Sequence, residues 1–271
     1  GKNFVKVHPE VLKMIKTSIE YSKLSGGAFD ISVGPLINLW KIGTPEARIP
    51  SQAEINAALP LVGCDKISIN EKDSSVMLQK EGMSVDLGGI AKGFTADEVF
   101  SIYKKFGIKS ALINLGGSSI YGLGTKPDGS SWSVGVQHPR KERNQSYLGI
   151  IKIASQAVST SGDYERYFEQ NGKRYHHILD PHTGYPADTG VMSDTIVVEG
   201  NEPDCSMKAD LLTTTVFVLG PQKGLQFIDK ISNIECFITT TDMKLYTSAG
   251  YRNDISNLDP SFTLVPEKSA K

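Results

Sequence analysis

The spacing of apolar and polar residues predicts helices at several places in the first part of the chain. Four apolar residues near the N-terminus recur at helical spacing: Val11, Leu12, Ile15 and Ile19. Gly26-Gly27 follows them and predicts the end of this first helix. Ser51-Gln-Ala-Glu54 has the pattern of a capping box and predicts a second, short helix up to Pro60. Gly88-Gly89 predicts the start of a longer helix that runs to about Phe106.

Short runs of β-branched and aromatic residues, separated by turn residues, predict many strands. Ile67–Ile69 and Val76–Leu78 flank the turn segment Glu71-Lys-Asp-Ser and predict a hairpin. Val85 is expected to close a short strand, and Ala111–Asn114 is expected to form a buried one. Further strands are predicted at Ser119–Leu123, Trp132–Val136, Leu148–Ala154, Tyr164–Phe168, Tyr175–Leu179 and Thr195–Val198.

The C-terminal part predicts a long helix, a shorter helix and a last hairpin. The long helix runs from about Asp204 to Leu219 and is ended by Gly220-Pro221. The hairpin pairs Cys236–Thr240 with Leu245–Ser248. Helices interspersed with consecutive hairpins are typical of an α+β fold with mixed, largely antiparallel sheets. No internal repeat divides the chain, so we expect one domain over residues 1–255 and a polar tail at 256–271.

Composition and charge argue against several classes of protein. The net charge of −1 offers no surplus of positive charge for nucleic acid or for an anionic membrane surface. No apolar run approaches the roughly 18 residues that a spanning helix needs. The three cysteines, Cys64, Cys205 and Cys236, are widely spaced and form no C-x-x-C, which argues against a disulfide scaffold or a structural zinc site.

The segment Asp86-Leu-Gly-Gly-Ile-Ala-Lys92-Gly places an acid, two glycines and a lysine around a predicted helix start. Amide groups at a helix N-terminus attract anions, and a lysine beside them can meet a phosphate. The alternative is a plain glycine turn followed by a surface lysine. The segment is therefore a candidate phosphate-binding turn.

A second candidate lies in the predicted helix Ala209-Asp210-Leu-Leu-Thr213-Thr214-Thr215-Val216. Residues i, i+3 and i+4 share a helix face, so Asp210, Thr213 and Thr214 converge there. A carboxylate and hydroxyl oxygens suit a hard cation such as magnesium. Consecutive threonines are poor helix formers, and function is one reason for such a run. The alternative is an ordinary helix whose acid and threonines pack against a sheet.

Three further segments are ambiguous. Tyr175-His-His-Ile-Leu-Asp180-Pro-His-Thr-Gly holds three of the chain's five histidines, which either hydrogen-bond within a turn or serve a site. A zinc site is the less favoured reading, because no Cys or Glu-x-x-His pattern supports it. Asp30, in a glycine turn that leads into a short extended segment up to Pro35, either contacts a ligand or caps the next turn. Ser159-Thr-Ser-Gly162 places hydroxyls at the mouth of a strand.

The sequence contains no G-x-S-x-G elbow, Walker A loop or G-x-G-x-x-G fingerprint. The residues alone therefore support binding of a phosphate and a divalent metal, and name no reaction. Together the segments resemble the ApbE family, the FAD:protein FMN transferases once described as thiamine-biosynthesis lipoproteins. The matching blocks follow the family's order: GGAFDISVGPL, VDLGGIAKGF, STSGDYERYF, HHILDPHTGYPAD and ADLLTTTVFVLG.

The resemblance implies a T-fold-like architecture in which FAD lies in a cleft between two lobes, and it implies roles for individual residues. The implied metal ligands are the Gly89 carbonyl, Asp210, Thr213 and Thr214. The implied FAD contacts are Ala28, Phe29, Asp30, Asp86, Lys92 and Ile178. The implied catalytic residues are Asp210 and His177, the latter as the proton-handling group beside the flavin.

The activity implied by the resemblance is magnesium-dependent transfer of FMN from FAD to a Ser or Thr hydroxyl of an acceptor protein, with release of AMP. The implied acceptors are flavin-carrying subunits of redox complexes. Two alternatives are an FAD pyrophosphatase that releases FMN and AMP, and a non-enzymatic FAD-binding protein. The family is typically exported and often lipid-anchored, so we expect the periplasmic or extracellular face of the cell membrane. We also expect the chain to begin after an N-terminal segment that family members carry.

Overall fold

A computed structural model of the chain describes residues 1–142, 146–248 and 255–265. The chain divides into two units that alternate along the sequence. The first unit comprises Gly1–Ala91 and Glu165–Asp188, and the second comprises Lys92–Tyr164 and the residues from Thr189 onward. The single domain expected over residues 1–255 stays a prediction.

Helices and strands both contribute throughout the described residues. The helices are α1 (Pro9–Leu24), α2 (Gly34–Trp40), α3 (Gln52–Ala58), α4 (Ala91–Lys105) and α5 (Cys205–Ile228). The first strands are β1 (Val5–Lys6), β2 (Ile67–Asn70), β3 (Ser75–Leu78), β4 (Ala111–Leu115), β5 (Ser119–Leu123), β6 (Trp132–Gln137) and β7 (Tyr147–Ile153). The others are β8 (Gln156–Gly162), β9 (Tyr167–Gln170), β10 (Lys173–His176), β11 (Val191–Glu199), β12 (Ile234–Thr240), β13 (Lys244–Thr247) and β14 (Thr263–Leu264).

The first unit combines α1, α2 and α3 with small antiparallel sheets in the order β1-β3-β2 and β10-β9. The predicted hairpin of β2 and β3 is confirmed, with Ile67 opposite Leu78. The predicted capping box is also confirmed: the Ser51 amide donates to Glu54 at 2.8 Å, and the Glu54 amide donates to Ser51 Oγ at 3.3 Å. Trp40 is fully buried, and its Nε1 donates to the Gly184 carbonyl at 2.8 Å, which ties the histidine-containing loop to α2.

Two predictions for the first unit are wrong. The segment after Asp30 is not extended: Ile31–Val33 forms a 3-10 turn that leads into α2. Asp30 caps this turn, because its carboxylate accepts from the Ser32 amide at 2.7 Å. Val85 closes no strand, since residues 83–87 have no ladder partner and the neighbouring Asp86 amide donates to the Ile31 carbonyl instead.

The strands β9 and β10 begin and end a few residues from their predicted positions. Asn171 and Gly172 both have positive φ, at 52° and 74°, as a two-residue hairpin turn of mirror-image type requires. This turn places Gln170 opposite Lys173 and so sets the register of the hairpin. The actual strands therefore lie closer to the turn than the apolar residues suggested.

A seven-stranded sheet organises the second unit in the order β14-β13-β12-β11-β8-β5-β4. Every pair in it is antiparallel except β13 with β14. The sheet and its packing on α5 agree with the predicted α+β fold. β11 is buried over almost its whole length, as a central strand between two layers must be. The edge strand β4 is not buried as predicted, because Leu112 and Asn114 are exposed and only Ile113 is fully buried.

The strand β8 was missing from the sequence prediction. Its residues Ser159, Thr160 and Ser161 carry hydroxyls where an apolar alternation would signal a strand. It pairs with β5 on one side and β11 on the other. Ser159 is buried there, Thr160 and Ser161 are half-buried, and no local pattern reveals this sheet pairing.

The helix α5 starts against α4 and bends at Gly220. Its first amides, those of Ser206 and Met207, donate at 3.0 and 2.9 Å to Asp97 of α4, which acts as a cap from another helix. Gly220 is non-helical, with φ of 79° and ψ of 175°, so the predicted stop at Gly220-Pro221 is confirmed, and the predicted shorter helix follows it directly up to Ile228.

The C-terminal described residues pack on the sheet of the second unit. Residues 255–265 include β14 and the buried Phe262, which joins the same apolar cluster as Phe237 and Leu245. The rest of the predicted tail, 266–271, lies outside the described residues. Within the part of the chain that is described, no helix is both long and apolar enough to span a membrane.

Candidate functional site

The residues predicted for the site are distributed over both units. The first unit carries Ala28, Phe29, Asp30, Asp86, Gly89, His177 and Ile178. The second unit carries Lys92, Asp210, Thr213 and Thr214. Each of the two groups has its own local geometry.

Asp210 is the centre of the group in the second unit. Its side chain is almost fully buried, at 4% exposure. Oδ1 accepts from Ser119 Oγ and Ser159 Oγ, both at 3.2 Å, and Oδ2 accepts from the Gly93 amide at 2.9 Å. Three hydrogen-bond donors from β5, β8 and α4 therefore surround a single carboxylate.

The Gly93 amide is available because Gly93 lies in the first turn of α4. The first four amides of a helix have no acceptor within the helix, so this one can bond Asp210. A Cβ on Gly93 would lie 2.1 Å from the Ser206 carbonyl oxygen, which shows how closely α4 and α5 approach. The absence of a side chain at Gly93 is what allows the helix start to reach Asp210.

Two opposing effects act on the pKa of Asp210. Burial raises the pKa of Asp210, while the Lys92 charge and the hydrogen bonds from Gly93, Ser159 and Ser119 oppose that rise. Lys92 is exposed, and its Nζ donates to Ser118 Oγ. The Lys92 charge and the Gly93 amide at the start of α4 therefore both act on Asp210 within this unit.

The threonines of α5 play different parts. Thr213 Oγ1 donates to the Asp210 carbonyl at 2.7 Å and accepts from Ser161 Oγ at 2.8 Å. Thr215 Oγ1 donates to the Leu211 carbonyl at 2.9 Å, so two of the three hydroxyls satisfy the helix backbone. Thr214 is only half-buried and lies one turn after Asp210. The predicted shared face of Asp210, Thr213 and Thr214 follows from their positions in this helix.

The donor set around Asp210 fits a hard divalent cation. Oδ2 accepts one hydrogen bond and so keeps a second lone pair, and hydroxyl oxygens lie one turn away at Thr213 and Thr214. The described residues contain no cluster of three or more His, Cys, Asp or Glu side chains. Magnesium is often held by one or two carboxylates, with waters and substrate phosphates supplying the other ligands. Asp210 with its neighbouring hydroxyls is consistent with that pattern.

Asp30 in the first unit has a structural role that sequence reasoning left open. Besides Ser32, its carboxylate accepts from the Cys64 amide at 2.9 Å and from Cys64 Sγ at 3.2 Å. Burial, with the nearby Asp30 charge, raises the pKa of the Cys64 thiol to about 12. The capping reading of Asp30 is confirmed, and its contact with FAD stays a prediction. The adjacent Ala28 and Phe29 are buried.

Asp86 organises the glycine turn that precedes α4. Its amide donates to the Ile31 carbonyl at 2.7 Å, which fixes this segment against the Asp30 turn. Its exposed carboxylate accepts from the Gly88 amide at 2.8 Å. The amides of Ile90 and Ala91 donate to the Leu87 carbonyl, so the chain is already turning into the helix at Gly89.

The three clustered histidines differ in burial and partners. His176 is buried, with Nε2 at 3.0 Å from the Ala187 carbonyl. His177 is half-buried, with Nδ1 at 3.2 Å from the Arg166 carbonyl, and Ile178 beside it is buried. His182 has Nε2 at 2.9 Å from the Gly26 carbonyl and Nδ1 at 3.0 Å from Asp180. The rings contact different carbonyls, in keeping with hydrogen bonding within the loop.

Sequence reasoning left Ser159, Ser161 and His182 without an assigned role and did not single out Ser119. Ser119, Ser159 and Ser161 support Asp210 and Thr213, and His182 connects the histidine loop to the Gly26-Gly27 turn. The hydroxyl-rich run at Ser159 was the available signal, but its partner helix is distant in sequence. A Cβ on Gly27 would lie 3.2 Å from His182 Nε2, so that turn is shaped to the ring.

Comparisons with known proteins agree on one family. Residues 1–238 match the ApbE family. The chain is 36% identical over 265 residues to the FAD:protein FMN transferase of Klebsiella pneumoniae (strain 342), covering 98% of this chain and 80% of that protein. It is 33% identical over 277 residues to the FAD:protein FMN transferase of Treponema pallidum (strain Nichols), covering 97% and 75%.

Solved structures give the same result for the fold. The ApbE protein from Thermotoga maritima aligns with a TM-score of 0.84 and 35% identity, over 93% of this chain and 80% of that one. The flavin transferase ApbE from Vibrio cholerae aligns with a TM-score of 0.78 and 32% identity, over 93% and 78%. Both identities are high enough that the shared fold carries a family relationship.

Proposed function

The chain belongs to the ApbE family, a family of enzymes, and on this premise we propose that it transfers FMN from FAD to a hydroxyl group of another protein. The acceptor is a Ser or Thr side chain, and the other product is AMP. The names of the relatives support flavin transfer and FAD as substrate. The Asp210 group of the second unit is the observation that carries the proposal.

The proposal assigns the diphosphate of FAD to this group. A diphosphate is strongly anionic, and Lys92 and the positive end of the α4 helix dipole supply positive charge. Asp210 and Thr214, with Thr213 alongside and the Gly89 carbonyl, are the proposed ligands of a magnesium ion. When bound, magnesium supplies charge neutralisation at the phosphate oxygens. The convergence of Gly89 with the α5 ligands stays a prediction.

The proposed reaction is substitution at the phosphorus of the FMN phosphate. The acceptor oxygen forms the new P–O bond, and the bond from that phosphorus to the oxygen bridging to the AMP phosphate breaks. AMP leaves with the bridging oxygen, and the acceptor hydroxyl loses its proton. The residues of the chain position the diphosphate, and one of them takes the proton.

His177 is the proposed proton acceptor. A backbone carbonyl only accepts hydrogen bonds, so a neutral His177 bonded through Nδ1 to Arg166 carries its proton on Nδ1. The acceptor lone pair of the ring then lies on Nε2, the nitrogen proposed to take the proton of the acceptor hydroxyl near neutral pH. His176 is less suited, because its buried ring faces the Ala187 carbonyl.

The remaining contacts complete the proposal for FAD. Ala28, Phe29, Asp30, Asp86 and Ile178 are proposed to line the flavin and nucleotide parts of the substrate. We further propose that the acceptor is a flavin-carrying subunit of a redox complex. The proposed place of action is the periplasmic or extracellular face of the cell membrane.

One incubation separates this function from its two rivals. The full chain is mixed with FAD, magnesium and a Ser- or Thr-containing peptide from a candidate flavin-carrying subunit, and the products are separated by chromatography and mass spectrometry. Flavinylated peptide with equimolar AMP supports transfer. Free FMN with AMP identifies a pyrophosphatase, and intact FAD identifies a binding protein, so either result contradicts the proposal. The same peptide with the acceptor residue changed to Ala is the matched control.

A further inference from the structure

We propose that Ser119 and Ser159 are positioning residues that hold the Asp210 carboxylate in a fixed orientation for binding a divalent cation. This inference rests on the proposed function only in assigning Asp210 to the metal. Neither serine touches substrate in the proposal, and each acts through Asp210.

The two serines face each other across neighbouring strands. Ser119 of β5 lies directly opposite Ser159 of β8 in the ladder, and their Oγ atoms are 3.4 Å apart. Both side chains are 1% exposed. Each Oγ lies 3.2 Å from Asp210 Oδ1, so both serines contact one oxygen of the carboxylate from two strands. The Ser159 hydroxyl shares its single proton between Asp210 and the Ser118 carbonyl, which is 3.1 Å away.

The two serine contacts matter because the last torsion angle of an aspartate side chain is only weakly restrained. Rotation of a carboxylate about its Cβ–Cγ bond has broad, roughly two-fold preferences, so the side chain alone does not fix the plane of its oxygens. The serines hold Oδ1, and the Gly93 amide holds Oδ2 at 2.9 Å. Three donors on separate elements thereby define the plane and leave a lone pair on Oδ2 for a cation.

A second contact from β8 supports the same helix. Ser161 lies two residues after Ser159, on the same face of the strand, and donates to Thr213 Oγ1 at 2.8 Å. Thr213 in turn donates to the Asp210 carbonyl at 2.7 Å. The alternate serines of β8 therefore hold both the side chain and the backbone of Asp210. This accounts for hydroxyls at strand positions where apolar side chains would pack more simply against a helix.

The chain offers a matched control in Ser193 of β11. Ser193 is also buried, at 2% exposure, and its Oγ is 2.8 Å from Thr239 Oγ1. It lies opposite Gly162, whereas Ser161 lies opposite Asp194, so Ser193 points to the sheet face away from α5. Loss of a buried serine hydroxyl can thus be compared with and without a link to Asp210.

The test measures metal affinity directly with Mn²⁺ as the probe. The full chain and the variants Ser119→Ala, Ser159→Ala, the double variant and Ser193→Ala are titrated by electron paramagnetic resonance, with and without FAD. Thermal unfolding of each variant is recorded alongside. Where FMN transfer is detected, kcat and the KM for FAD are measured over a range of magnesium concentrations.

The double variant is expected to bind Mn²⁺ 10- to 100-fold more weakly, the usual loss when a hydrogen-bond partner of a metal ligand is removed. Its FMN transfer is expected to recover as magnesium is raised. Ser193→Ala is expected to keep wild-type Mn²⁺ affinity even where its Tm falls.

Unchanged Mn²⁺ affinity in the folded single and double variants would overturn the inference and leave the serines a purely structural role. Absence of Mn²⁺ binding by the wild-type chain would overturn it as well. A wild-type chain that binds Mn²⁺ but transfers no FMN contradicts the proposed function alone. In that case weakened Mn²⁺ binding by the serine variants still supports the positioning role.

Discussion

Asp194 is an acid in the centre of the seven-stranded sheet, and replacing it should stabilise the fold. It lies in β11 between Ser161 and Ile238 of the neighbouring strands and is 1% exposed. Neither carboxylate oxygen has a hydrogen-bond partner among the described residues. Burial raises the pKa of Asp194 well above its usual range, so the group is driven towards its neutral form.

The expected magnitude follows from the missing partners. A buried polar group without a hydrogen bond costs about 1–3 kcal/mol, and an apolar side chain of the same shape removes that cost. Asp194→Val is such a replacement, and a β-branched side chain suits a central strand. For a chain of this size each kcal/mol shifts Tm by about 2–4 °C, so we expect Tm to rise by about 2–12 °C.

The gain should grow with pH, and the sign follows from proton binding. The folded pKa of Asp194 lies above the unfolded value of about 3.9, so in between the folded state binds more protons than the unfolded state. Stability contributed by the protonated group is fully present below the unfolded pKa and is lost as pH rises towards the folded pKa. Asp194→Val escapes this loss.

Urea unfolding followed by circular dichroism, at pH 5 and at pH 8, measures both effects. Asp194→Asn is the control, because it removes the ionisation but keeps unpartnered polar atoms. We expect the valine variant to exceed wild type at both pH values and by more at pH 8. A valine variant that is less stable than wild type, or a gain that shrinks as pH rises, would refute the reasoning.

Three further variants test the site and the packing around it. Lys92→Ala should weaken FAD binding, and the loss should shrink at high salt because the charge is exposed. If a titration at low salt gave the variant and the wild type equal affinity for FAD, Lys92 would be only a surface residue. His177→Ala should lower kcat strongly and FAD affinity modestly. His176→Ala should mainly lower Tm, because its ring is buried. A loss of rate confined to the His176 variant would reverse the assignment. Gly93→Ala should destabilise the fold by about 1–3 kcal/mol in urea unfolding, since its Cβ would meet the Ser206 carbonyl, and an unchanged midpoint would show that the helices can separate there.

Features set by local chemistry were predictable from the sequence. The helix α1, the capping box of α3 and the stop at Gly220 depend on residues a few positions apart, and all three are present. The shared face of Asp210 and the threonines needed only the helical period. The family blocks then supplied a reaction that the residues alone did not name.

Features set by distant contacts were not predictable in the same way. The strand β8 lacks an apolar alternation because Ser159 and Ser161 hydrogen-bond to residues of α5. Those partners lie more than 50 positions further along the chain, so only the folded structure reveals the contacts. The segment after Asp30 was predicted to be extended, but Asp30 caps a turn there. Its capping partners include the distant Cys64 as well as the local Ser32, and the local pattern does not reveal Cys64. Polar residues that serve a distant partner depart from the local pattern, which is why strand and helix assignments failed beside the candidate sites.

The central claim is that Asp210 holds the metal on which FMN transfer depends. Asp210→Asn is the suitable change, because it keeps the shape of the side chain and an oxygen for its buried donors, whereas Ala would leave three donors unmatched. Initial rates of peptide flavinylation are measured by mass spectrometry for wild type and variant across a magnesium titration. The account predicts magnesium-dependent flavinylation by the wild-type chain and a loss of at least about 100-fold in the folded variant. Flavinylation by Asp210→Asn at the wild-type rate, with the same magnesium dependence, would contradict it.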